Sequence, residues 1–250
     1  MILKGIMNKF KGILEFNEDD SKNKINGMGK YTENCEQEFI DLNGMVTVDE
    51  SLECKKAKLD GIIKINNDLI AEEQIEQKGQ LKVGNSIKAA VIELKGQATI
   101  NNSIVGKNIK TDGTINVKKV LFDEKCNMKG LITTEQIKGE KNSTLQIQGR
   151  MSADKVEAGN VFINVRGKGS KAKIGTIIAG KLEITNESKT TELIIKKIGA
   201  DKVFVEYAEV QSIKGRDIEI GAGCIVDMVQ YSDSIKISPE SAVKECKQVL

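Results

Sequence analysis

The chain has no histidine and no tryptophan, and its single proline is Pro239. Histidine is the usual general base near neutral pH and a common zinc ligand, so most general-base and zinc chemistry has nothing to run on here. Aromatic residues make up only 4% of the chain, too few for a platform that stacks single-stranded nucleic acid. Charge of one sign is also missing. The 38 lysines and arginines nearly cancel the 36 aspartates and glutamates, leaving a net +2 spread evenly along the chain. A phosphate backbone needs a concentrated cationic footprint, so nucleic acid is not an expected partner. No apolar run reaches the length that crosses a bilayer. The segment from Met1 to Leu14 shows neither the continuous apolar core nor the small-residue cleavage site of a secretory signal. The five cysteines, Cys35, Cys54, Cys126, Cys224 and Cys246, are odd in number and form no CxxC pair. They read as reduced, mostly structural thiols, and the expected compartment is the cytoplasm.

What is present is a beat. Gly27, Gly44, Gly61, Gly79, Gly96, Gly113 and Gly130 follow one another at a constant interval, broken only by one extra residue between Gly61 and Gly79. A fixed short period, here about 17 residues, marks one structural unit stacked on copies of itself. After Gly61 comes Ile62-Ile63-Lys64-Ile65, and after Gly113 comes Thr114-Ile115-Asn116-Val117. Positions two and four beyond the glycine are apolar, the period of a half-buried strand. Each repeat holds a second apolar patch, such as Leu69-Ile70 or Val120-Leu121-Phe122, and often a third before the next glycine, as at Ile92 and Leu94.

Three short strands per repeat make one coil, with alternate side chains inward and the glycine at a corner. A single coil cannot bury enough apolar surface to offset the ordering of its backbone, so stability comes from neighbouring turns. The expected fold is all-β: a right-handed parallel β-helix, or β-solenoid, of about 17 residues per turn, with the hand taken from the rule for parallel crossovers. Ile63, Ile65, Leu81, Val83, Ile100, Ile115 and Val117 are the expected inward columns. This period is not a multiple of six, which argues against the hexapeptide repeat of left-handed β-helix acyltransferases.

The chain divides by pattern into residues 1–24, an amphipathic segment and loop; residues 25–165, the regular repeats; and residues 166–250, a less regular β-helical part with an excursion near 185–197. On a helical wheel Ile2, Leu3, Ile6, Met7, Phe10, Ile13 and Leu14 fall within an arc of about 140°, with Lys4, Lys9 and Lys11 outside it. Three readings fit: a short helix that contacts a membrane through Ile2, Leu3, Ile6, Met7 and Phe10, a cap over the solenoid end, or a degenerate first strand from Ile13. The step from Gly130 to Gly149 is longer than the others, which fits a surface insertion around Gly139 to Ser143. The loop from Arg166 to Lys171 lacks the GxxxxGK[ST] spacing, so no nucleotide site is expected. Residues 240–250 are polar with a weak helical pattern and are expected to lie over the last turn.

Gly-x-apolar-x-apolar steps at this interval, as in Gly79-Gln-Leu-Lys-Val and Gly113-Thr-Ile-Asn-Val, resemble the bactofilins, bacterial polymer-forming cytoskeletal proteins. The run from Val203 to Tyr231 is similar to the longer, two-part members of Gram-positive bacteria, and Ile25-Asn26-Gly27-Met28-Gly29 resembles their opening. The resemblance covers roughly residues 24–245. It implies a nucleotide-independent filament or sheet former, without cofactor or metal, acting as a cytoplasmic scaffold at or near the membrane and serving cell shape or motility. The chain lacks proline-rich tails and carries the excursion near 185–197, which leaves a limited oligomer or a paralogous partner open beside free polymerisation.

The physics of the coil points the same way, because a β-helix ends in unpaired strand edges that a protein must either cover or use. Ile218, Ile220, Ile225, Val226, Tyr231, Ile235 and Ile237 keep strand alternation near the end of the chain and are the expected self-association residues. Two other classes remain in view. One is a monomeric or limited-oligomer module that binds a protein on a flat face. The other is an enzyme with paired carboxylates, which the chain's few aromatics disfavour, and no catalytic residue is expected.

Overall fold

In the computed structural model, residues 13–14, 23–31, 36–166, 172–187, 189 and 193–249 are described. They form strands and turns, and no helix occurs among them. The expected parallel β-solenoid is what the chain builds: from Asn23 onward each strand lies parallel to the next in sequence order, with registers that advance by about one repeat. The chain divides into two compact units, Met1–Lys118 and Lys119–Leu250. The break in regularity near residue 165 lies inside the second unit, where residues 152–165 pair in parallel with residues 173–186.

The first unit contains β1 (Ile13–Leu14), β2 (Asn23–Tyr31), β3 (Glu36–Val48), β4 (Leu52–Ile65), β5 (Leu69–Val83) and the start of β6 (Ile87–Gly139). Gly27 pairs with Gly44, Gly44 with Gly61, Gly61 with Gly79 and Gly79 with Gly96, so the glycines form a column up one corner. At Gly61 the backbone has φ +110°, and a Cβ there would collide with the carbonyl oxygen of Gly44. Only glycine allows coils to approach so closely at this conformation. The one longer step is absorbed at the surface: the register shifts between Ile70 and Gln74, where Glu72 and Glu73 are exposed.

Inward residues come in pairs two apart within a face and three or four apart across a corner. Leu42 and Val46 flank the glycine corner, Val48 and Leu52 the next, and Cys54 and Ala57 the third, all buried. Ile63, Ile65, Leu81, Val83, Ile100, Ile115 and Val117 are buried as expected. The second corner is held outside by a polar ladder. Asn67 donates to Glu50 at 3.0 Å, Asn85 to Asp68 at 2.8 Å and Asn102 to Asn85 at 3.2 Å.

The second unit takes the rest of β6, then β7 (Thr144–Val165), β8 (Ala172–Asn186), β9 (Leu193–Val205), β10 (Ala208–Ile220), β11 (Ile225–Ile237) and β12 (Ala242–Gln248). Its coils vary in length. The expected insertion is a surface turn closed by Ser143, whose backbone N–H and Oγ both donate to the Glu140 carbonyl, at 3.0 and 2.6 Å.

One expectation is corrected. The excursion near 185–197 is narrower, since Asn186 still belongs to β8 and Leu193–Lys197 pair in register with Ala172–Thr176. The segment after residue 240 does lie over the last turn, as a strand and not as the helix its weak pattern suggests: Ala242–Gln248 is in parallel register with β11. Of the three readings of the N-terminal segment, the strand from Ile13 is the one the described residues show: Ile13 and Leu14 run antiparallel to Met28 and Gly27, outside the parallel register of the coils. The membrane-contact candidates Ile2, Leu3, Ile6, Met7 and Phe10 lie outside the described residues, as does the loop 167–171.

Candidate functional site

The last coils of the second unit end in columns of apolar side chains. Ile195, Val210, Val226 and Val243 occupy one column, rung upon rung, and Ile198, Ile213, Val229 and Cys246 the next. On the following face Val203, Ile218 and Ile235 are aligned, as are Val205, Ile220 and Ile237. In each column the lower members are buried. The last members are not: Val243 and Ile235 are half-buried, Cys246 is exposed, and Ile237 is 41% exposed.

The seven candidate self-association residues therefore separate. Ile218, Ile220 and Val226 are buried beneath later rungs and cannot be an edge, which corrects their expected role. Ile235 and Ile237 do terminate their columns, and Tyr231 is half-buried at the adjoining corner. Ile225 points outward and is 44% exposed, beside Met228 at 39%.

The edge itself is stepped. Strand β12 pairs with β11 only over Ile225 to Tyr231. Its end is fixed there by the Val249 N–H to the Tyr231 carbonyl at 2.8 Å and by the Gln248 amide to the Ser232 carbonyl at 2.9 Å. Beyond this point residues 234–237 pair on one side with β10, and no described strand pairs with the other. The backbone thus presents two unpaired runs at different heights, β12 and the ledge at 234–237. Unpaired strand edges are templates for another chain.

Polar contacts hold the outer side of this step. A register shift between Gly215 and Asp217 gives β11 one extra residue, and Asp233 there accepts from Arg216 Nε at 3.2 Å and Nη2 at 3.1 Å. Asp233 also accepts from the Ser232 hydroxyl at 2.7 Å, and that bond, with the guanidinium, holds its carboxyl below the usual carboxylate range. Ser234 Oγ donates to Asp217 at 2.8 Å. Lys244 meets Asp227 at 2.6 Å, and this contact raises the lysine pKa. These exposed pairs fix outward side chains and leave the inward column ends apolar.

Val243 and Cys246 were missed by sequence reasoning. They stand three apart, as do Val226 and Val229 below them, because the strand turns a corner between the two. In sequence that spacing imitates a helix.

Elsewhere in the unit a surface groove of about 500 Å³ is lined by Ala179, Gly199, Ala200, Gly215 and Arg216 among others, with no aromatic side chain in its lining. Among the described residues no group of His, Cys, Asp or Glu is placed to hold a metal ion, and no helix is long and apolar enough to cross a membrane.

The chain is similar to the uncharacterized protein YhbF of Bacillus subtilis (strain 168), with 32% identity over 57 residues, 23% of this chain and 24% of that protein. The likeness spans about a quarter of either chain. No protein-family model and no solved structure matches.

Proposed function

We propose that this protein is a non-enzymatic, nucleotide-independent, self-assembling scaffold of the bacterial cytoplasm, in the manner of the bactofilins that its repeat resembles. One observation carries this reading: four inward apolar columns run to the stepped edge, and no described residue covers their ends at Val243, Cys246, Ile235 and Ile237. A second copy, or a paralogous chain of the same repeat, supplies what the edge lacks, namely backbone pairing and the next apolar rung. Neither requires a nucleotide or a cofactor. The scaffold acts at the inner face of the cell membrane, where it serves shape or motility.

A second reading, a β-helical binding module that stays monomeric or forms a limited oligomer, is favoured by the edge of the first unit at β2. There β1 lies antiparallel on Gly27 and Met28, and a parallel stack cannot continue past it without displacing it. Assembly through the stepped edge alone stops at a closed pair.

Negative-stain microscopy and light scattering of nucleotide-free protein separate these. Filaments support the polymer, and a stable dimer supports the limited oligomer. Alkylation of Cys246, read by peptide mass, must slow on assembly in both cases, and an unchanged rate in the assembled state moves the contact away from this edge.

A further inference from the structure

The first unit carries a second surface that the scaffold reading does not use. After each corner glycine the chain runs as a short strand whose first and third residues point outward. The first positions stack as Met28, Met45, Ile62, Gln80 and Gln97. Met28 is 65% exposed, Met45 52% and Ile62 48%. They occupy successive rungs, about 4.8 Å apart, and together they expose on the order of 300 Å² of apolar surface, within the range of the largest patch on a soluble monomer, which is often functional.

The third positions stack as Lys30, Thr47, Lys64, Lys82 and Thr99. Neither of these outward rows holds an acidic residue. The face before the glycine is different, with Asp41, Asp60, Glu76 and Glu93 interspersed among Lys58 and Lys78. Lys30 is held by Asp49 at 2.8 Å, while Lys64 and Lys82 stand exposed. Three apolar side chains beside a row of lysines and threonines, with no acidic residue in either row, are complementary to a surface that is apolar beneath and anionic at its rim.

We propose that this face docks on an anionic lipid bilayer, with Met28, Met45 and Ile62 entering the acyl boundary and Lys64 and Lys82 reaching the headgroup phosphates. Pairing this face with its counterpart on a second copy sets the lysines against a surface without acidic groups, which disfavours that occupant. Ile13, which follows the basic N-terminal segment in sequence, pairs with Met28 at the foot of the apolar row. The inference rests on the membrane association proposed above, and it stands whether or not the chain polymerises.

The test is co-sedimentation of the full chain with vesicles of phosphatidylcholine alone or with about one third phosphatidylglycerol, at low and high salt. Binding is expected only with phosphatidylglycerol and weakens in high salt. The pairs Met45→Glu with Ile62→Glu, and Lys64→Glu with Lys82→Glu, each lower the apparent affinity at least about tenfold, with circular dichroism unchanged because all four positions are exposed. Parent-like binding by both face variants, with loss in Ile6→Glu/Phe10→Glu, overturns the face and keeps membrane association. Face variants that change particle mass without changing lipid binding assign the face to a second copy instead. Failure of the full chain to sediment with anionic vesicles overturns both.

Discussion

Gln77 pairs with Leu59 in the parallel ladder and occupies the same inward column as Leu42, Leu59 and Leu94, with neither its amide nitrogen nor its oxygen hydrogen-bonded. It is 2% exposed. An unpaired buried amide carries its full desolvation cost, so Gln77→Leu, which restores the leucine column at similar volume, should stabilise the protein by about 1 to 3 kcal/mol. A rise in melting temperature checks this. An unchanged or lowered melt means that a buried water already satisfies the amide.

The glycine column gives a contrast between two positions. Gly79 has φ +100°, and an added Cβ meets the Gly61 carbonyl, whereas a Cβ on Gly199 meets nothing within 4 Å. Gly79→Ala should therefore cost at least about 2 kcal/mol, combining backbone strain with a clash against main chain. Gly199→Ala should be neutral or slightly stabilising. Equal melting temperatures for the two variants would refute close stacking at the corner.

The regular coils were legible because Gly-x-Ile-x-Ile carries both corner and alternation in one short motif, as at Gly61 and, with valine last, at Gly113. The corner spacing was harder. Within a face the period is two, but across a corner inward residues stand three or four apart, as Leu42 and Val46 do. Where a coil is polar, only the step across the corner remains visible, and β12 with Val243 and Cys246 reads as a weak helix. The edge was mislocated for the same reason: Ile218, Ile220 and Val226 alternate well, yet alternation reports an inward direction and not whether another rung lies above. The outward row of Met28, Met45 and Ile62 has no signature within one repeat and becomes visible only when the repeats are set in register.

The thiols separate by burial. Desolvation pushes the Cys54 thiol up to about 12 and raises Cys126 and Cys224 as well, so all three stay protonated at pH 8. Cys246 is exposed. Iodoacetamide at that pH should modify Cys246 in the native protein and leave Cys54, Cys126 and Cys224 unmodified until denaturant is added, with sites resolved by peptide mass. A thiol held protonated in the fold stabilises it fully below the unfolded value of 9.0, and that contribution is lost as pH rises towards the folded value. Stability should thus fall on the alkaline side, and less steeply in Cys54→Val. Rapid native labelling of Cys126 would contradict the packed core.

The decisive test of assembly lies at the column ends and not on the outer face of the last coil. Strand alternation alone nominates an arginine at Ser234 as the disruptor, but Ser234 points outward and its hydroxyl bonds Asp217, so Ser234→Arg places a cation beside a carboxylate on the solvent side. It should leave assembly nearly unchanged. Ile237 and Val243 differ, because each ends an apolar column on which the next rung would sit. A lysine there stays solvated in the monomer, since Ile237 is already 41% exposed and Val243 half-buried. In an assembled state the same charge is desolvated without a partner, at a cost of several kcal/mol per contact, on the order of a hundredfold or more in association. Ile237→Lys and Val243→Lys should therefore reduce light scattering to that of a monomer while keeping β circular dichroism and the parent melting profile. If both variants assemble as the parent does, the stepped edge is not the contact; if they lose β-signal, Ile237→Ser and Val243→Ser, which add no charge, decide whether the loss comes from folding or from assembly.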